Sequence, residues 1–146
     1  MVKMPRLDPH ESLGFHCSLT VKAFMSALER KLKSLGVSKA QFLALEHLIA
    51  CGPLSQSELA ERLSITPATS VRLVDRMERD GWVMRRPGPA DGRVKLVVPT
   101  KLITGLWPEV SRAGRELLDQ AYQGIRPSEI NAVKRVLKTV RKNLKA

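Results

Sequence analysis

The sequence predicts a mainly α-helical protein carrying one small β-hairpin, and three observations predict it. Apolar residues recur at three-and-four spacing over most of the 146-residue chain. Hydroxyl residues and glycines punctuate that pattern where helices should start and stop. Residues 82–98 instead switch to the two-residue alternation of β-formers, with a Gly- and Pro-rich turn in the middle.

Composition narrows the partners. Apolar residues make up 43% of the chain and charged residues 27%, a globular balance. Lys and Arg number 25 against 14 Asp and Glu, a net charge of +11. So much positive charge on a small protein repels itself and points to a polyanion, nucleic acid first and an anionic membrane surface second. Cys17 and Cys51 are too few for a disulfide framework and fit a reducing compartment. The opening "MVKMPRLDPHESLGFHCSL" has no apolar core, being interrupted by Asp8, His10 and Glu11, and no later apolar run approaches bilayer length. The expectation is a cytoplasmic protein with no membrane segment.

A long first helix is expected over roughly residues 11–35. Leu13, Cys17, Thr20, Phe24, Ala27, Leu28 and Leu35 form its stripe, and Gly36 stops it. Ser38 should cap a second helix with Phe42, Leu45, Leu48 and Ile49 inward, ended by Gly52-Pro53. Ser55 and Glu58 have capping-box spacing, which starts a short helix carrying Leu59, Ala60 and Leu63. Thr66 is the next N-cap, with Pro67 at a first-turn position where the missing N–H costs nothing. That helix should run to Asp80 and end at Gly81. Two short helices across a tight polar turn make a helix-turn-helix. "WVMRR" and "RVKLVV", joined by "PGPADG", then read as a hairpin, and the combination is a winged helix.

Residues 101–123 form a further amphipathic stretch through Ile103, Leu106, Val110, Ala113, Leu117 and Ala121, kinked or broken at Pro108. A last helix begins near Pro127, with Ile130, Val133, Leu137, Val140 and Leu144 as a seam for another helix. No repeat or low-complexity linker divides the chain. Residues 1–146 therefore read as a single winged-helix domain, with a DNA-binding lobe over about 53–98 and dimerisation helices over about 11–35 and 101–146. The dimerisation reading follows from two end helices whose stripes need cover, in a protein type that matches two-fold operators.

The helix after Thr66 should face its core with Ser70, Leu73, Val74 and Met77. Its other face offers Ala68, Thr69, Val71, Arg72, Arg76 and Arg79 to double-stranded DNA. Arg72 and Arg76 suit base edges or phosphates, and Ala68 and Val71 suit thymine methyls. Ser55, Thr66 and Thr69 lie at helix N-termini, where hydroxyls and backbone N–H groups meet phosphate, and Pro67 opens the recognition helix among them. Asp75 can instead tie up Arg72 or Arg79. In the hairpin, Arg86 stands at the wing base and Arg93 behind the tip should reach a minor groove. Asp91 should hold an arginine side chain in direction, and Gly92 should supply a positive φ.

"VSKAQFLALEHL", "LSQSELAERLSITPATSVRLVDRMERDGWVMRR" and the D-x-R wing at Asp91–Arg93 resemble the most typical stretch of the MarR (multiple-antibiotic-resistance regulator) family, without gaps. The resemblance implies a homodimeric winged-helix repressor of a short pseudo-palindrome, released by a small aromatic or phenolic ligand or by oxidation. It also implies a ligand pocket between the lobes, lined by the first, second and fifth helices, to which His16, Thr20 and Phe24 are candidate contributors. Three features depart from the pattern: Gly92 in place of a basic residue, "TKLITG" (Thr100 to Gly105) opening the next helix, and Ser70 at a core-facing position, where its hydroxyl needs a partner.

Two other readings compete. The basic residues Lys134, Arg135, Lys138, Arg141, Lys142 and Lys145 suggest a weakly specific architectural nucleic-acid binder, and Cys17 beside His16 suggests a redox-responsive regulator. No cofactor is implied. His10, His16, His47 and the cysteines show no metal-ligand spacing, and no nucleophile–base pair or phosphate loop points to a catalytic site or an enzyme.

Overall fold

The computed structural model describes residues 7–145. In chain order the described residues form α1 (Leu13–Leu32), α2 (Lys39–Cys51), β1 (Leu54–Ser55), α3 (Gln56–Leu63), α4 (Pro67–Arg79), β2 (Val83–Pro87), β3 (Lys95–Pro99), α5 (Lys101–Ala121) and α6 (Pro127–Leu144). The mainly helical class with a small hairpin wing is observed, and no helix here is long and apolar enough to cross a membrane.

The local capping chemistry sets the boundaries. Ser38 and Gln41 exchange side-chain and backbone hydrogen bonds as a capping box for α2, and Ser55 and Glu58 do so for α3. Thr66 Oγ1 accepts from the Thr69 N–H, with Pro67 opening α4. Between α3 and α4, Ser64 takes the left-handed conformation at φ 54°, which turns the chain within three residues. Gly81, at φ 81°, ends α4 and releases the chain into the wing.

Four expectations need correction. The single first helix over 11–35 is three pieces, a 3-10 turn Pro9–Glu11, α1, and a 3-10 turn Lys33–Leu35. Ser12 intervenes because its hydroxyl accepts the Phe15 N–H and starts a fresh N-terminus. Second, Leu54 and Ser55 form an extra strand, pairing with Val97 and Leu96, so the sheet has three strands in the order β1-β3-β2. Third, the hairpin loop is longer than expected: β2 and β3 pair from Val83↔Pro99 to Pro87↔Lys95, leaving Arg93 and Val94 in the loop. A bond from Gly88 N–H to the Val94 carbonyl (2.7 Å) closes its neck. Fourth, of the kink or break expected at Pro108, the break is absent: α5 runs through it as one helix. Ile103 and Val110 are completely buried on either side of the proline, so packing holds the helix together where local propensity would stop it.

One core joins α1, α2, α3, α4, the sheet and most of α5. Leu28, Leu32, Leu45, Leu48, Leu59, Val74, Met77, Val97, Ile103 and Val110 are at most 2% exposed. Burial on that scale is worth roughly 1.5–3 kcal/mol for each large side chain, which fixes the angle of α4 and the wing on α2. The last helix stands apart, since none of its residues is buried.

Candidate nucleic-acid interface

The sequence dictates a two-faced α4. Ser70, Leu73, Val74 and Met77 are buried, and Ala68, Thr69, Val71, Arg72, Arg76 and Arg79 are exposed on the other side. Ser70 finds the partner its position demands: its hydroxyl donates to the Gln56 carbonyl at 3.0 Å and bolts α4 to the first residue of α3. At the other end of α4, the buried Gln41 donates from Nε2 to Asp80 (2.8 Å), linking the start of α2 to the C-cap of α4. Both ends of the helix are therefore fixed by polar contacts over a packed face.

The acids of α4 do not neutralise its own arginines. Asp75 pairs with Arg85 of β2, and Glu78 joins the same guanidinium at 3.4 Å. This corrects the expected pairing of Asp75 with Arg72 or Arg79: β2 runs beside α4, and Arg85 is held there with only 20% of its side chain exposed. The clamp ties the wing to the helix. It also leaves Arg72, Arg76 and Arg79 without an ion pair among the described residues, with their charge facing outward.

At the leading end of α4, Thr66 and Thr69 share a hydroxyl–hydroxyl hydrogen bond of 2.8 Å beside Pro67. Ser55 is differently placed. Its hydroxyl oxygen accepts from the Glu58 N–H, the Glu58 carboxylate accepts from the Ser55 N–H, and hydrogen bonds from Ser55 hold this carboxyl below its usual pKa. The Glu58 carboxylate thus sits at the N-terminus of α3, where the helix dipole favours an anion.

On the wing, Arg86 is exposed on β2 opposite Leu96. Asp91 accepts from the backbone N–H of Arg93 at 3.0 Å, which corrects the expectation that it orients an arginine side chain. A second turn bond, Val94 N–H to the Asp91 carbonyl, keeps the loop tight, and the Arg93 side chain is exposed. Gly92 does not have a positive φ, because the longer loop turns without one.

Away from this face, a cavity of about 360 Å³ opens between α1, α2 and α5, with Phe24, Phe42, Glu46, Trp107 and Arg115 in its lining. Phe42 and Trp107 stack there, centroids 5.9 Å apart and rings inclined at 24°. Gly114 makes room for the stack, since a Cβ on it would stand 2.7 Å from Phe42 Cζ. Burial raises the pKa of the Glu46 carboxyl, and His47 partly offsets this. Of the three expected pocket residues, Phe24 lines this cavity, while Thr20 lines a second groove between α1, α5 and α6. His16 lines neither. Its Nε2 pairs with the His10 carbonyl at the exposed start of α1. Cys17 is half-buried, and no three metal-ligating side chains gather among the described residues.

Sequence reasoning missed the Arg85 clamp, the Gln41–Asp80 link and the Phe42–Trp107–Gly114 arrangement. All three join residues far apart in sequence or on different elements, and only the apolar character of Phe42 was visible beforehand.

Comparison with known proteins places these features in context. The MarR family model matches residues 37–95, from the start of α2 to the wing. The chain is 29% identical over 117 residues to the HTH-type transcriptional repressor IacR of Pseudomonas putida, covering 80% of this chain and 70% of that one. Among solved structures, it is 30% identical to transcriptional regulator PA3341, with a TM-score of 0.84 over 92% of this chain and 98% of that one. It is 26% identical to a variant of Escherichia coli MarR complexed with operator DNA, with a TM-score of 0.80 over 88% and 92%.

Proposed function

The chain belongs to the MarR family of DNA-binding transcriptional regulators, and from that membership we propose how its own residues perform the task. The protein acts as a homodimeric repressor in the cytoplasm and carries no enzymatic activity. Each protomer lays α4 in the major groove of one half of a pseudo-palindromic operator. Arg72, near the leading end, reads a base edge. Thr66, Thr69 and Arg76 hold phosphates, with Pro67 setting the helix entry, and Ala68 and Val71 pack on thymine methyls. Arg93 enters the adjacent minor groove and Arg86 steadies the wing on the backbone.

The observation that carries this reading is the division of labour around α4. Its acids are engaged by Arg85, and its outward arginines are left without ion pairs beside a clamped wing. A small aromatic ligand in the cavity between α1, α2 and α5 would stack on Phe42 and Trp107 and shift α4 through α2. That shift is the route to release from DNA.

Selection of bound duplexes from a random library tests the reading. The expected winner is a pseudo-palindrome with half-sites about one helical turn apart. The absence of any enriched motif, with affinity that only collapses as salt rises, would overturn it in favour of an architectural binder.

A further inference from the structure

The charge that first suggests a polyanion partner is not concentrated on the winged helix. Residues 53–100 carry eight Lys and Arg against six Asp and Glu, whereas residues 126–145 carry seven against one. Six of the net +11 charges therefore lie in and around α6. Lys134, Arg135, Lys138, Arg141, Lys142 and Lys145 are all exposed, and none of them takes an ion pair among the described residues. The single acid of the helix, Glu129, is held at its far end by Arg126.

At 100° per residue those six cations fall within an arc about 120° wide and about 17 Å long; Lys134 also borders the groove between α1, α5 and α6, and the five from Arg135 to Lys145 stand clear of it. Ile130, Val133, Leu137, Val140 and Leu144 lie on a different arc, so the basic stripe carries no apolar side chain. The 21 residues of α5, about 30 Å of helix, separate the wing from the start of α6 along the chain.

We propose that the basic stripe of α6 is a second, sequence-independent site for DNA phosphates, through which an operator-bound protein holds a separate duplex segment. B-DNA presents one charge per about 1.7 Å of its axis, so an uninterrupted row of cations meets several phosphates and gains by counterion release. The stripe has no apolar anchor to enter a lipid interface, and no aromatic or aliphatic side chain to fill a pocket on a protein partner. DNA is also the polyanion an operator-bound regulator meets at highest local concentration. The inference rests on the DNA-binding reading for its first contact only.

The test uses the full chain bound to a tethered, operator-length duplex and challenged with a labelled random-sequence duplex lacking the operator. The wild type should capture the second duplex, and capture should fall at least about tenfold between 50 and 200 mM salt. Replacing Arg135, Lys138, Arg141, Lys142 and Lys145 by Gln should abolish capture while leaving operator affinity within about twofold, because phosphate contacts at separate sites act independently. Sedimentation of that variant checks that it assembles as the wild type does. Absence of capture by the wild type, or equal capture by the variant, would overturn the proposal. So would wild-type recruitment of phosphatidylserine vesicles without recruitment of duplex, which would assign the stripe to a membrane surface. Failure of the first step, operator binding by the wild type, would instead count against the DNA-reading assignment of α4.

Discussion

Two helices of this protein, α4 and α6, begin with proline in the first turn, alternate apolar and basic arcs, and end in opposite physical states. Helix α4 buries Ser70, Leu73, Val74 and Met77, and α6 buries nothing. The neighbours make the difference. The apolar arc of α4 is covered by α2, α3 and the sheet of its own chain. The seam of α6 flanks an open groove with Ala23, Ala27 and Leu117, the surface on which we propose the second copy of the chain packs. Charge follows the same division. Asp75 and Glu78 on α4 are engaged by Arg85, whereas the cations of α6 have no counterpart. Amphipathicity shows that a helix must be covered, and the rest of the chain decides by what.

The largest effect should come from breaking the seam. Replacing Val133 and Leu137 together by Asp should abolish the dimer and lower operator affinity by about 100-fold or more, because the second half-site is no longer bound intramolecularly. The winged helix should still unfold cooperatively, and sedimentation with thermal denaturation checks both. Next comes the reading face of α4. Arg72→Ala should cost about 1–3 kcal/mol of discrimination at one base pair per half-site, measured by anisotropy on matched and altered duplexes. Equal loss on every sequence would make Arg72 a phosphate contact.

A change between the two regions should act on stability instead. Gly114→Ala pushes a methyl into Phe42 and should cost about 1–3 kcal/mol in denaturant unfolding, while also narrowing the cavity. Asp75→Asn weakens the wing clamp, a partly exposed pair that should contribute about 0–1 kcal/mol to stability. Its effect should appear mainly as weaker operator binding. The smallest effect expected is at Glu46. Burial raises its folded-state pKa, so the native state binds the proton more tightly than the unfolded chain does. The resulting cost is absent below the unfolded value near 4.5 and grows as pH rises through the folded value. Glu46→Gln should therefore raise Tm slightly at neutral pH, and the gain should vanish near pH 4.

What was legible in the sequence was local. Ser38, Ser55, Thr66 and Gly81 set helix ends through partners within three residues, and the structure keeps each boundary within a residue or two. The core face of α4 was equally visible, because its period is fixed by the helix itself. The two-residue β1 was not. Leu54 and Ser55 have no alternation to betray them and become a strand only because Val97 and Leu96 arrive from more than forty residues away. The same holds for Arg85, since nothing in "MRRPG" says which of two adjacent arginines faces α4. Asp91 was misread because an Asx-type bond to the backbone two residues on competes with any arginine side chain. The first helix was drawn too long because its start was set near residue 11, ahead of Ser12, whose hydroxyl caps a new N-terminus at Leu13.

The most direct test of the account is the mass of the complex formed by the full chain on the selected, operator-length duplex, measured by sedimentation at saturating protein. Two chains per duplex, with the Val133→Asp, Leu137→Asp variant forming no stable complex at the same concentration, is the predicted result. One chain per duplex for the wild type, or a seam variant that binds as tightly as the wild type, would contradict the claim that α4 reads DNA from a dimer built by the terminal helices.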